Sequence, residues 1–441
     1  MKITHLAAAV TAAIALAVTG CSPVAPADEP AQGDGPTTVT VRLWDQQVAA
    51  AYEKSFAEFE RRNPDITVKL NVVPYSNYFT QLPLDVSSGT VDDVFWVNTT
   101  YFGAFADSGR LIDVGKELAD LVPGFVPAAV EQYTRNSTLW GVPALTDGRI
   151  ALYYNKAMVA EADVDPNNLT WHPTDPAADT FLPAARRLTK DSAGRTADQP
   201  DFDPKSIVQY GFNAGRDLQA IYYNFVGSNG GRFQDEDDAF VFANPQAEQA
   251  FTYLVGLINT AHVAPPAADT NSNGDFSRDQ FIQGKMALFQ SGTYNLKNIA
   301  DGARFEWGIA PMIAGPVGRV SVVNSVIAAG HEASPRREAA LRVLRWLGSQ
   351  EGARFVGAEG AALPAVTAAQ QAFYDYWHSR GVDTRFFGPE GGTLTIPAPS
   401  GPKYGAADAA MEPIFNEIFA GRIAVGPGLQ EAQDAANAAV R

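Results

Sequence analysis

Val39-Thr40-Val41-Arg42-Leu43 alternates apolar with polar positions, the period of a strand with one buried face. From Gln47 to Arg62 the spacing lengthens, and Val48, Ala51, Tyr52, Phe56 and Phe59 fall on one helical face. Asn63-Pro64 ends that helix, after which Ile66, Val68, Leu70 and Val72 alternate again. Strand, helix and strand in such short order predict a βαβ unit with a right-handed crossover. Val94-Phe95-Trp96-Val97 is an unbroken apolar run, as in a strand buried on both faces.

Further on, Trp140-Gly141-Val142-Pro143 leads into a strand over Ile150–Asn155. Gln246 to Thr260 reads as a helix that buries Ala247, Ala250, Phe251, Leu254 and Leu257. Ser334-Pro335 is placed to open another helix, with Ala339, Ala340, Val343, Leu344 and Leu347 on its buried stripe. The tail from Ala406 to Val440 reads as helical, broken near Gly426-Pro427-Gly428. The fold class is therefore α/β.

The N-terminus follows a different rule. Lys2 precedes a greasy run from Leu6 to Val18, too short to span a bilayer comfortably, and then Thr19-Gly20-Cys21. This arrangement resembles a bacterial lipobox: residues 1–20 would be a signal peptide and Cys21 the lipidated first residue of an exported protein. Residues 21–37, rich in Pro, Gly, Ala and acids, would form a flexible tether reaching on the order of 20 Å. The chain would then sit on the outer face of the cytoplasmic membrane.

Composition narrows the rest. A mature chain of about 420 residues exceeds what one core usually serves, so two lobes are expected. Cys21 is the only cysteine, which leaves no thiol for a disulfide, a metal site or a nucleophile. The net charge of −16 argues against nucleic acid as a partner. No G-x-S-x-G, H-E-x-x-H, P-loop or Rossmann glycine pattern occurs, and the histidines lack ligand spacing, so a non-enzyme without cofactor is expected.

The order of several segments resembles the family 1 extracellular solute-binding proteins, the carbohydrate-capturing subunits of ABC importers. These segments are the strand and helix ending in Arg62-Asn63-Pro64; Gly141-Val142-Pro143 followed by Leu152–Lys156; Phe281–Leu288 with Ser291-Gly292; Ser334–Gly352; and Pro413–Gly421. The resemblance implies a two-lobed periplasmic-binding-protein-like fold with a hinge and an interlobe ligand cleft. It puts one lobe at residues 38–145 plus 309–350 and the other at 146–308 plus 351–441. It further implies a monomer that takes a carbohydrate ligand, a di- or oligosaccharide, and delivers it to transmembrane permease subunits. A polyol, a glycerophosphodiester or a peptide in the same fold, or a secreted carbohydrate-active enzyme, stands as the alternative.

A sugar offers apolar C–H faces and a girdle of hydroxyls, so its binder needs aromatic platforms and planar polar side chains. Trp44 and Asp45 follow the first strand and would face the cleft, unless Trp44 plugs the core and Asp45 caps the next helix. Asn98 and Tyr101 follow the buried strand by the same logic. Asp147 and Arg149 lie where the chain first crosses between lobes, around Gly148, and could instead form an interlobe salt bridge or a turn. Tyr222 and Asn224, with Tyr223 between them, pair a ring with an amide, though on a helix one of the two tyrosines would be core, and Asn324 either lines the cleft or ends a turn. Gly292 and Tyr294 match the stretch where, by the resemblance, an aromatic stacks on ligand. Trp377, Phe386 and Phe387 read mainly as core. Asp269–Asp275 copies the front of a calcium loop, but Gln280 stands where such loops need Glu, so no metal is assigned.

Overall fold

In a computed structural model the described residues are 35–146, 148–235, 238–388 and 391–441. The expected signal peptide, Cys21 and most of the tether lie outside them, as does Asp147. Strands β1 (Thr37–Leu43), β2 (Ile66–Val72) and β3 (Val94–Asn98) form where alternation and the apolar run predict. Helix α1 (Gln46–Arg62) joins β1 to β2, α2 (Tyr75–Ser88) joins β2 to β3, and α3 (Thr99–Ala106) follows β3 directly. The apolar pattern does not reveal α2: Pro83 lies inside it, and its buried stripe is only Tyr78, Leu82 and Val86.

β1 pairs in parallel with β2 and with β3. β4 (Val142–Thr146) and β9 (Ser325–Gly330) complete a five-stranded sheet in the order β2-β1-β3-β9-β4, with β9 antiparallel to both neighbours. A second, antiparallel sheet places β5 (Ala151–Asn155) between β6 (Leu288–Ser291) and β7 (Trp307–Pro311). β8 (Val320–Val323) pairs in parallel with β10 (Leu394–Pro397).

Each sheet gathers its own core. One apolar cluster, with Tyr52, Tyr78 and Trp96 at its centre, packs α1, α2, α6 (Arg337–Leu347) and α7 (Gln350–Ala358) on the five-stranded sheet. Another joins α4 (Pro245–Asn259), α8 (Tyr404–Phe419) and α9 (Val425–Val440) around Tyr222, Phe251 and Phe415. A smaller cluster adds Tyr153, Trp377, Phe387 and Phe281 of α5 (Phe276–Ile282) to that second lobe.

Two stretches pack on the other side from expectation. Ile309, Ala310, Ile313 and Val322 join the second lobe, because β7 pairs with β5. Ala353, Val356, Ala361 and Val366 join the first, where Ser55 Oγ donates to the Gly352 carbonyl at 3.0 Å. Two helix ends also differ. α6 begins at Arg337, not at Ser334-Pro335, because the Ser334 hydroxyl donates to Asp93 at 2.5 Å and accepts from the Arg336 amide. The tail breaks at residues 420–424, where Gly421 takes a φ of 69°. Pro427 instead lies in the first turn of α9, where its missing N–H costs nothing.

Asp93, 2% exposed, ties three elements of the first lobe together. It accepts from the Thr40 amide of β1 at 2.8 Å, from Ser334 Oγ, and from Arg336 Nε at 2.9 Å. Burial pushes its proton affinity up, but Arg336, Ser334 and Thr40 together outweigh that and hold the carboxyl below its ordinary value. Asp93→Asn is expected to cost about 1.5–3 kcal/mol in urea unfolding near pH 7, the range for hydrogen bonds to a charged group. Because the folded pKa is lowered, this stability is present above the unfolded pKa and lost as pH falls through the folded one. The penalty should therefore shrink in acid; a pH-independent penalty would contradict the assignment.

Candidate ligand-binding cleft

The parallel strands β1, β2 and β3 deliver three loops to one edge of the first sheet, the carboxyl-end edge where open α/β sheets bind ligands. Trp44 leaves β1 there. Its ring meets Tyr75, Tyr78 and Trp96 edge-on at 5.6, 4.9 and 5.0 Å. Phe79 of α2 lies 5.6 Å from Trp44 and stacks on Tyr101 of α3 at 4.1 Å, with the planes 12° apart. Trp44, Tyr75, Phe79 and Tyr101 thus make a continuous ring wall, and Tyr75 is 54% exposed. Asn98 caps α3 by accepting from the Tyr101 amide at 3.2 Å, and its amide nitrogen donates to the Tyr75 hydroxyl at 3.2 Å.

The second lobe meets this wall directly. The Tyr101 hydroxyl donates to Asp408 Oδ2 on α8 at 3.0 Å. Gln47 donates to Asn298 Oδ1 at 3.3 Å. Asn298 lies one turn after Tyr294, whose carbonyl it bonds at 3.3 Å. Tyr294 folds its ring over Gly292 so closely that a Cβ there would sit 2.3 Å from it. Gly292 is needed for that contact, and its carbonyl accepts from the Tyr153 hydroxyl at 2.8 Å.

Three carboxyl groups at these facing surfaces have raised pKa values. Burial is the largest cause for Asp45, whose Oδ1 accepts from the Gln47 and Val48 amides and which feels Arg278 of α5. Burial also raises Asp408, and the nearby Glu412 adds to it, while Tyr101, Tyr404 and Arg216 pull the other way. Asp217, which still reaches solvent, is raised by desolvation against the Ala220 and Gln219 amides and Arg216. Elsewhere the paired carboxyls Asp107 and Asp203 shift downward. Carboxyls whose burial outweighs the hydrogen bonds they accept are candidates for a functional site.

Arg216, Asp217, Asp408, Glu412, Tyr75 and Phe79 were not among the residues singled out from sequence. The available signal was Asp408 and Glu412, four apart on a helix that otherwise buries Tyr404, Ala407, Met411 and Phe415. Arg216 pairs with Glu412 at 2.8 Å, holding this acidic edge in place.

Several expected contacts do other work. Tyr222 is enclosed by Tyr223, Phe233, Phe251, Phe415 and Phe419, so it builds the core. Asn224 is fully buried, accepting from the Val322 amide at 2.8 Å and donating to the Gln219 carbonyl at 2.9 Å. Arg149 donates through Nε to the Thr393 carbonyl at 2.9 Å, which fastens the approach to β10. Gly148 serves close packing, since a Cβ would lie 2.8 Å from Phe387. Asn324 spends its side-chain oxygen on Thr99 and Ser325. The first four residues of the calcium-like stretch, 269–272, belong to a short helix, Ala267–Ser272. Among the described residues no group of three or more His, Cys, Asp or Glu could hold a metal.

Residues 44–354 match the family described as bacterial extracellular solute-binding protein. The crystal structure of M. tuberculosis UspC is 52% identical, covering 91% of this chain and 100% of that one, with a TM-score of 0.70. An ABC substrate-binding protein of Listeria monocytogenes, solved in complex with cycloalternan, shares the fold at 20% identity, covering 92% of this chain and 99% of that one, with a TM-score of 0.78. The maltodextrin-binding protein MdxE of Bacillus subtilis is 28% identical over 70% of this chain and 68% of that protein. With a matched segment running from the ring wall's Trp44 to α7 of the first core, the chain belongs to the family 1 bacterial extracellular solute-binding proteins.

Proposed function

We propose that this protein captures a sugar, a di- or oligosaccharide, between its lobes and hands it to an ABC import permease. The observation that carries this reading is the ring wall of Trp44, Tyr75, Phe79 and Tyr101 beside the carboxyls of Asp45 and Asp408, both raised by burial. Rings cover the C–H faces of a sugar, and carboxylates accept from its hydroxyls in pairs. The same carboxylates repel a phosphate, which weighs against a glycerophosphodiester. Relatives named for maltodextrin and solved with cycloalternan support a saccharide ligand. Cys21 would carry the lipid that holds the protein at the outer face of the cytoplasmic membrane.

No bond in the ligand is made or broken in this reading. Asp45 is engaged as a helix cap and Asp408 by two tyrosine hydroxyls, leaving neither set up as a free general acid. A thermal-shift screen of the Cys21→Ser chain against a broad saccharide library tests the proposal. A true ligand at a hundredfold excess over its Kd should stabilise the fold by about 2.7 kcal/mol. No shift with any saccharide would overturn it, and cleavage products after long incubation would replace it with an enzyme.

A further inference from the structure

One residue, Asn324, separates β8 of the second lobe from β9 of the first. A second crossing runs beside it, for Ser325 lies opposite Thr146, the last residue of β4, in the sheet. Across that crossing the Ile150 amide donates to Ser321 Oγ at 2.8 Å. The two passages lie side by side in the hinge, which the chain crosses again between Val366 and Trp377.

The Asn324 side chain reaches out of this hinge. Its Oδ1 accepts from the Ser325 amide at 2.9 Å, from the Thr99 amide at 3.3 Å, and from the Thr99 hydroxyl. Thr99 opens α3, and first-turn amides have no partner within their own helix. Asn98 covers the Tyr101 amide from next door, while Asn324 covers the Thr99 amide from 225 residues away. The helix capped in this way carries Tyr101, which bonds Asp408 across the cleft. It also approaches residues 401–402 so closely that a Cβ at Gly103 would lie 2.8 Å from the Gly401 carbonyl carbon.

We propose that Asn324 is a positioning residue that couples the hinge to α3. The inference rests on the reading above, that the lobes close over a solute. The cap is formed in a structure whose lobes already touch through Tyr101–Asp408 and Gln47–Asn298. It therefore favours that arrangement over one in which the hinge has turned and the Thr99 amide has lost its acceptor. Affinity scales with the fraction of molecules in the binding-competent state, so the cap strengthens every ligand alike.

Interlobe distance measurement tests this in the full chain with Cys21→Ser, labelled through Ser87→Cys and Glu431→Cys, both on exposed positions. Asn324→Ala should shift the solute-free distance distribution toward separated lobes. Asn324→Asp, which keeps the acceptor, should restore it, and Thr99→Val, which removes the hydroxyl donor but keeps the amide, should reproduce part of the shift. Saccharide affinities should fall in Asn324→Ala by one common factor, roughly five- to a hundredfold, the effect of losing both bonds to Thr99. An unchanged distribution, or a loss confined to one saccharide, would overturn the inference. If no saccharide binds the parent chain, the sugar reading fails and the distance distribution alone decides the role of Asn324.

Discussion

Tyr222→Ala is expected to destabilise the protein by about 3–5 kcal/mol, while Tyr222→Phe should leave solute affinity within roughly twofold. Tyr222 is 3% exposed, and five rings lie between 5.1 and 6.2 Å from its own. Truncation would leave a cavity that neighbours from α4 and α8 cannot fill without leaving their rotamers. Its hydroxyl lies within electrostatic reach of Asp408, Arg216, Asp217 and Glu412, so the ring forms the floor under the acidic edge of the cleft. Urea unfolding measures the first effect and titration calorimetry the second. A tenfold affinity loss in Tyr222→Phe would return the residue to the ligand.

That division between floor and wall shows how much could be read before folding. β1, α1, β2 and β3 were legible because each buries a regular stripe, and parallel strands bring their following loops to one edge. The loop positions of Trp44, Asn98 and Tyr101 could accordingly be read from sequence, as could the cap that Asp45 makes on α1. Their partners could not. Asp408 meets Tyr101 from 307 residues further along, and nothing local marks it beyond a charge on an apolar helix. Tyr222 and Asn224 looked like a binding pair because a ring beside an amide has the right chemistry; burial, which only the tertiary fold decides, gave them to the core. Ser334 misled as a helix cap for the same reason: its hydroxyl serves Asp93, 241 residues away. The lobe boundaries depended on strand pairing, and β7 follows β5 in its sheet, not its place in the chain.

Asp408→Asn is expected to stabilise the solute-free protein near pH 7 and to weaken sugar binding by roughly tenfold or more. The carboxyl is raised by burial first and by Glu412 next. A raised folded pKa means that its stability contribution is fully present below the unfolded pKa and lost as pH rises through the folded one. At neutral pH the charged side chain therefore works against folding, and a neutral amide removes that cost. The amide oxygen still accepts from the Tyr101 hydroxyl, so the lobes keep their contact. Ligand hydroxyls, however, lose a charged acceptor, worth about 1.5–3 kcal/mol. The gain in melting temperature should fade toward about pH 2.5, well below the ordinary aspartate pKa of about 3.9, where the aspartate is itself protonated in both states. Calorimetric melts at the two pH values, with sugar titrations at neutral pH, check both halves. Unchanged affinity, or a gain in stability equal at both pH values, would remove Asp408 from the site and leave Tyr101–Asp408 as a strut between lobes. A gain and a loss together would show a group retained against stability for the solute it holds.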